Sequence, residues 1–159
     1  MFERLSQATV KPALAISLHT TDAALRRRLL PKAPDITPIE LGELGEAYAR
    51  STGYPIQYQW ILLEGINDTY TELEGIARLL AGKYAVMNMI PYNSVDGFDY
   101  RRPSWERADE MARSLHRHGI LTKLRHSAGQ DVEGGCGQLR ARTLVEVKDA
   151  LPAASSQVL

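Results

Sequence analysis

Short apolar segments alternate with amphipathic segments along this chain, and this alternation is the feature that most restricts its fold. Four apolar runs predict β-strands, at residues 13–18, 56–63, 85–90 and 121–125. Helical patterns lie between them, and strands separated by helices pair in parallel through right-handed crossovers. The sequence therefore predicts an α/β domain with a four-stranded parallel sheet.

The predicted helices have apolar residues three and four positions apart, as packing against a sheet requires. They cover residues 23–30, 38–52 and 105–118, and a stretch between a capping turn at residues 65–68 and Gly82. The first strand is apolar along most of its length, which predicts burial on both faces. The expected apolar stripe of the second helix consists of Ile39, Leu41, Leu44, Ala47 and Tyr48.

Polar residues follow three of the predicted strands directly. They are Ser17 and His19 after the first strand, Glu64 and Asn67 after the second, and Tyr92 and Asn93 after the third. In α/β sheets and barrels the functional site lies at the carboxyl ends of the strands. These positions therefore predict a ligand site at that edge.

The composition limits the partners that the chain can attract. Its 159 residues suffice for one domain, and 19 basic residues balance 19 acidic ones, so no overall charge draws in nucleic acid. Binding of RNA would need a local basic patch. Arg26, Arg27 and Arg28 are more typical of a solvated helix face, whereas Arg101 and Arg102, near a strand end, are better phosphate candidates.

The sequence contains one cysteine, Cys136, and glycines flank it at positions 134, 135 and 137. A single cysteine excludes an intrachain disulfide, and its use fits a reducing, cytoplasmic compartment. Glycines allow a loop to bend and another molecule to approach its backbone, which suits a reactive thiol. The plainer interpretation is an incidental cysteine in a flexible loop or a small buried one. A thiol–histidine pair with His126 is a further alternative.

Six short segments occur in a fixed order, and their combination is more specific than any one of them. They are Ala15-Ile16-Ser17-Leu18-His19, Leu25-Arg26 to Leu30-Pro31, Leu63-Glu64-Gly65-Ile66-Asn67-Asp68, Asn88-Met89-Ile90-Pro91-Tyr92-Asn93, Arg102-Pro103-Ser104 and Cys136-Gly137-Gln138-Leu139. The set resembles the carboxyl-terminal half of the radical SAM methyltransferases that modify C2 of adenosine in 23S rRNA and certain tRNAs. A relative that methylates adenine C8 and confers antibiotic resistance is similar.

This resemblance implies a fold and a site. The chain would form the parallel-sheet half of a partial, TIM-like (βα)6 barrel, with residues 1–150 as a single domain and 151–159 as a flexible tail. Ser17, Leu18 and His19 would line the S-adenosylmethionine pocket, and Asn93 would bind the same cofactor. Cys136 would be the catalytic residue, and no residue of the chain would bind a metal.

The resemblance also implies a radical route to an electron-poor adenine carbon. One S-adenosylmethionine would methylate Cys136. A [4Fe–4S] cluster would cleave a second one to a radical that takes hydrogen from the methylthio group, and the resulting carbon radical would add to adenine. The partner would be 23S rRNA or tRNA.

The three cluster cysteines of that family, spaced Cys-x3-Cys-x2-Cys, are missing from this chain. Because the protein must supply three thiolates to such a cluster, we expect the chain alone to be inactive. A half-barrel also leaves strand edges open, which predicts self-association or pairing with a missing half. Two alternatives remain at this point: a non-enzymatic half-barrel that pairs with another chain, and an unrelated enzyme that uses Cys136 and His126.

Overall fold

The computed structural model describes Phe2, Leu5 and residues 7–93 and 97–125. Within these residues strands and helices alternate along the chain. The strands are β1 (Ala15–Ser17), β2 (Ile56–Leu62), β3 (Ala85–Pro91) and β4 (Leu121–Leu124), and the helices are α1 (Ala23–Leu29), α2 (Pro38–Thr52), α3 (Tyr70–Leu80) and α4 (Trp105–Arg117).

The four strands form one sheet in the order β1-β2-β3-β4, and every neighbouring pair is parallel. This confirms the predicted α/β class and the parallel sheet. The strand order follows the chain order, so each connection places the next strand beside the previous one. All four strands therefore present their carboxyl ends at one edge of the sheet.

Each helix begins at a side chain that accepts a hydrogen bond from the first helical turn. These caps are Asp22, Thr37, Thr69 and Ser104, and Thr37 forms a reciprocal capping box with Glu40. The prediction that residues 65–68 cap α3 is wrong, because Thr69 does so. Asp68 instead accepts a hydrogen bond from the backbone N–H of Gly65, at 2.8 Å, inside the preceding turn.

One face of the sheet carries the hydrophobic core. Along β2 the residues Ile56, Tyr58, Trp60 and Leu62 are buried, whereas the intervening residues are half-buried or exposed. The buried set packs with apolar residues of the helices, among them Leu41, Ile76, Met111 and Leu115. The described helices thus cover one face, and we call the opposite face of the sheet the inner face.

Two sequence predictions about burial are wrong. Strand β1 spans three residues, and neither Ala15 nor Ser17 is buried. In α2 the side chain of Ile39 is 69% exposed and that of Leu44 is 39% exposed. Leu41 and Tyr48 of the expected stripe are buried, together with Pro38, Gly42, Gly45 and Ala49.

The displaced stripe of α2 has a steric cause. A Cβ atom at Gly45 would collide with the Tyr58 hydroxyl and lie 3.3 Å from Ile56 Cγ1. The helix therefore contacts β2 through Gly45, a residue type that a hydrophobicity pattern does not score as core. Among the described residues, no helix has the length and apolar character needed to cross a membrane.

Candidate functional site

His19 lies two residues after the end of β1 and is held in a well-defined orientation. Its backbone φ is 59°, a left-handed conformation that few residues other than glycine adopt. The Ile61 backbone N–H donates to His19 Nδ1 at 3.0 Å. Because Nδ1 accepts, a neutral ring carries its proton on Nε2 and can offer that N–H as a donor.

The environment of His19 keeps its ring neutral. Burial, and to a smaller extent the nearby positive charge of Arg26, together lower the pKa of His19 from 6.5 to about 4. The imidazole is therefore a neutral hydrogen-bonding group near pH 7 and a poor proton reservoir. This excludes His19 as a general acid that must be protonated at neutral pH.

Asn67 connects the ends of the first two strands. Its side chain is fully buried, and its amide nitrogen donates to the carbonyl oxygens of His19 at 2.7 Å and Ile61 at 2.8 Å. Its Oδ1 accepts from the Leu63 backbone N–H at 2.7 Å. A buried amide with three partners is costly to leave unpaired, so Asn67 fixes the position of His19 relative to β2.

A carboxylate of α3 holds the loop that follows His19. The Glu72 side chain is 5% exposed, and its Oε2 accepts from the backbone N–H and the hydroxyl of Thr21, at 2.8 and 2.6 Å. Its Oε1 accepts from the Thr20 hydroxyl. The helix approaches this loop closely because Gly75 has no side chain there: a Cβ would collide with Thr21. Glu72 and Gly75 are positioning residues that the sequence did not reveal.

Arg26 lies beneath the loop. The prediction that residues 26–28 form a solvated basic run is therefore wrong for Arg26. Its side chain is 7% exposed and donates to the carbonyl oxygens of Ser17, Pro34 and Ile36, at 3.2–3.4 Å. Arg27 and Arg28 are exposed, as expected. Arg26 therefore supports the end of β1 from below and is not a phosphate ligand at the surface.

The predicted cofactor residues lie at the same edge of the sheet but do not touch. Ser17 ends β1 and is exposed, and Asn93 follows β3 and is exposed. Strand β2 separates them, which corresponds to about 10 Å across the sheet. By strand register Ser17 is level with Asn88, so Asn93 lies five residues farther along. A single ligand that contacts both residues must therefore be elongated.

Leu18 and Asn93 have different structural settings. The Leu18 side chain is fully buried in the core, so this residue can line a pocket only through its main chain. Its backbone N–H donates to the Gln59 carbonyl oxygen at 3.1 Å. Asn93 Oδ1 accepts from Arg102 Nη1 at 3.2 Å, which orients the amide at the end of β3.

A row of four polar residues crosses the inner face, and the sequence analysis named Ser17 but missed the other three. Strand pairing places Ser17, Gln59, Asn88 and Lys123 opposite one another on the four strands. Asn88 is 1% exposed and donates from Nδ2 to Gln57 Oε1 at 3.2 Å. Their signal in the sequence was a polar residue inside each apolar run. We call this set the polar row.

The catalytic candidate Cys136 and its alternative partner His126 lie outside the described residues, as do the glycine loop and the tail at residues 151–159. Their predicted roles stay predictions. Within the described part of the chain, no three His, Cys, Asp or Glu side chains are grouped closely enough to hold a metal ion.

Comparisons with known proteins give relatives of consistent description. The chain is 76% identical over 152 residues to a Thiobacillus denitrificans protein named probable RNA methyltransferase, covering 96% of this chain and 41% of the relative. It is 68% identical over 142 residues to a Pseudomonas aeruginosa protein of the same description, covering 89% of this chain and 41% of the relative. The chain thus spans about two fifths of the length of these relatives. No protein-family model matches it.

Solved structures agree with the fold. A radical SAM methyltransferase from Sphaerobacter thermophilus superimposes with a TM-score of 0.80 and 33% identity, over 86% of this chain and 40% of that one. A domain of a pyruvate-formate lyase-activating enzyme from Bacteroides vulgatus has a TM-score of 0.60 at 17% identity, over 79% of this chain and 73% of that one, and supports the fold alone. The chain therefore has a fold similar to that of a radical SAM methyltransferase.

Proposed function

We propose that this chain is the part of an RNA methyltransferase that binds S-adenosylmethionine at the edge formed by Ser17, His19 and Asn93 and carries the methyl group on Cys136. The RNA base would be adenine, methylated at C2. The observation that carries the proposal is the position of these three residues at the carboxyl ends of β1 and β3, in a fold similar to that of a radical SAM methyltransferase. The relatives named probable RNA methyltransferase support RNA as the substrate.

The residues at this edge suit S-adenosylmethionine, which joins a nucleoside to an amino acid and is therefore elongated. Ser17 is exposed and supplies a hydroxyl, and neutral His19 has an Nε2–H to donate. Asn93 supplies an amide that both donates and accepts. Bound there, the cofactor supplies an electrophilic methyl group. The side chains of Ser17 and Asn93 would hold the two ends of S-adenosylmethionine.

Cys136 would accept that methyl group by ordinary nucleophilic substitution. The thiolate sulfur forms a bond to the methyl carbon while the bond from that carbon to the sulfonium breaks, and S-adenosylhomocysteine leaves. The thiol proton passes to water, since the thiolate and not the thiol is the nucleophile. Glycines on both sides of Cys136 allow the sulfur to approach cofactor and then base.

The iron–sulfur cluster of radical SAM enzymes does not fit on this chain. Such a cluster needs three thiolates from the protein, and the sequence has one cysteine. Transfer from sulfur to adenine would therefore depend on groups that another segment or chain supplies. We expect the 159-residue chain by itself to methylate no RNA.

The test uses a chimeric protein in which this chain replaces the matching region of the Thiobacillus denitrificans relative, to which it is 76% identical. The purified protein is incubated with S-adenosylmethionine, a reductant and 23S rRNA or tRNA. Nucleosides are then identified by mass spectrometry against 2-methyladenosine and 8-methyladenosine standards. We expect 2-methyladenosine from the unmodified chimera and none from Cys136→Ser, since a hydroxyl is a far poorer nucleophile than a thiol.

Asn93→Ala is the companion variant, because it addresses the cofactor and not the methyl carrier. It should weaken binding of S-adenosylmethionine by about 1–3 kcal/mol, whereas Cys136→Ser should leave that binding unchanged. Methylated adenosine formed by Cys136→Ser would contradict the role of the cysteine. An 8-methyladenosine product would contradict the C2 assignment alone.

A further inference from the structure

Residues 97–103, which we call the strap, lie across the carboxyl edge of the sheet beside the proposed cofactor site. The Glu64 backbone N–H, after β2, donates to the Arg101 carbonyl oxygen at 2.9 Å. Arg102 donates to Asn93 Oδ1 at 3.2 Å, after β3. Pro103, at the end of the strap, is buried. The strap is thus attached at two strand ends.

The strap carries aromatic rings that lead outward from the sheet. Tyr100 contacts Tyr92 edge-to-face, with ring centroids 6.0 Å apart and planes at 88°. Phe98 stacks on Tyr100 with centroids 6.2 Å apart and planes at 12°, and its side chain is 63% exposed. An exposed phenyl ring beside the proposed cofactor site offers a stacking surface to a flat ligand.

Positive charge accompanies these rings. Arg101 is exposed and forms no ion pair with any residue that the structure describes. Arg102 is half-buried and contacts Asn93, and the one acidic residue of the strap, Asp99, is also exposed. An exposed aromatic ring next to an unpaired arginine is the combination that proteins use for unpaired nucleotides: the ring stacks on the base and the guanidinium binds phosphate.

We propose that the strap binds unpaired RNA, with Phe98 stacking on a base and Arg101 contacting a backbone phosphate. The inference rests on the proposed function, because it takes RNA as the substrate. A base that is to be methylated on a ring carbon must leave its stack, and this exposes the faces of neighbouring bases. The strap lies beside Asn93, so such a neighbouring base comes within its reach when the target base approaches the cofactor.

The test measures RNA binding by the full 159-residue chain, which needs no iron–sulfur cluster. Fluorescence anisotropy is recorded with a labelled single-stranded RNA of mixed sequence and with the same strand annealed to its complement. Phe98→Ala should weaken binding to the single strand by about fivefold to 100-fold, and Phe98→Trp should retain it. Arg101→Gln should reduce the slope of log Kd against log salt by about 0.7.

Matched controls come from the opposite edge of the sheet. Tyr54, before β2, is 50% exposed, and Arg117 ends α4, which leads into the start of β4. Tyr54→Ala removes an exposed aromatic ring and Arg117→Gln removes a guanidinium, both far from the strap, and neither should change RNA affinity. Thermal unfolding of each variant shows whether its fold is retained.

Three results would overturn the role of the strap. The first is equal affinity of wild type and Phe98→Ala for the single strand, and the second is no binding of RNA by the wild-type chain. The third is a fall in the melting temperature of Phe98→Ala that Phe98→Trp reverses, because Phe98 would then be a packing residue. If the chimeric protein methylates no adenine while RNA binding shows the expected results, the proposed function is wrong and the RNA-binding role of the strap stands.

Discussion

His19 is the residue whose surroundings have the most direct consequence for pH dependence. Its pKa is lowered to about 4 in the folded protein, against 6.5 for an unperturbed histidine. Above pH 6.5 both the folded and the unfolded chain carry a neutral ring, so His19 adds nothing to the pH dependence of the free energy of unfolding. As the pH falls from 6.5 towards 4, the unfolded chain takes up a proton that the folded chain refuses. The free energy of unfolding then decreases, by at most about 3 kcal/mol.

His19→Asn tests this linkage at a single side chain. Asparagine tolerates the left-handed backbone at this position better than most residues. We expect the variant to be less stable than wild type at pH 7, because the bond from the Ile61 N–H to the ring is lost. The difference in the free energy of unfolding between wild type and variant should shrink as the pH falls to 4. Urea unfolding at several pH values measures it, and a constant difference between pH 7 and pH 4 would contradict the account.

At the scale of elements, the packing of α3 against the loop after β1 determines where His19 lies. Gly75→Ala would normally stabilise a helix by about 1 kcal/mol. Here the added Cβ meets the Thr21 side chain, with Thr21 Cβ at 2.9 Å and its hydroxyl closer still. The contact also disturbs the hydrogen bonds of Thr21 to Glu72. We expect Gly75→Ala to lower both the stability of the fold and the affinity of the chimeric protein for S-adenosylmethionine.

Gly42→Ala, in α2, is the matched control for this prediction. The Cβ added there lies 3.0 Å from Leu79 Cδ1, the far end of a flexible side chain that can shift. Gly42→Ala should therefore retain or raise stability and leave cofactor affinity unchanged. Chemical unfolding and isothermal titration of both variants provide the comparison. Equal effects of the two substitutions would show that the close approach at Gly75 is unimportant.

The elements were predictable from sequence because local signals specify them. Apolar runs followed by Ser17, His19 and Asn93 indicated both the strands and the edge at which they end. The polar row was not predictable in the same way, since an asparagine or glutamine inside an apolar run has no meaning until strand register is known. Asn88 is opposite Gln59 only because β2 and β3 pair in that register.

Long-range contacts explain the remaining misses. Glu72 is an acidic residue on a helix, and such residues are usually solvated. It is nevertheless buried against Thr20 and Thr21, which precede it in the chain by 52 and 51 residues. Arg26 stands in a run of three arginines, and its burial under β1 depends on the loop at residues 34–36. Neither contact has a local signature, so only the tertiary structure identifies these positioning residues.

At the scale of the whole molecule, the described sheet has two edge strands, and the chain spans only part of its relatives' length. The chain matches about two fifths of the relatives' length. Within the described residues, β1 and β4 are edge strands, each with one paired neighbour. Open edges of this kind favour pairing with further strands, so self-association of the chain or pairing with another barrel half stays a prediction.

The most direct test of the account asks whether the proposed site delivers a methyl group to Cys136. The chimeric protein is incubated without RNA in S-adenosylmethionine whose methyl group is deuterated, and the digested peptides are analysed by mass spectrometry. The account predicts one labelled methyl group on Cys136 in the unmodified chimera, and less label in Asn93→Ala at a limiting cofactor concentration. An unlabelled Cys136 in a preparation that nevertheless methylates adenine would contradict it.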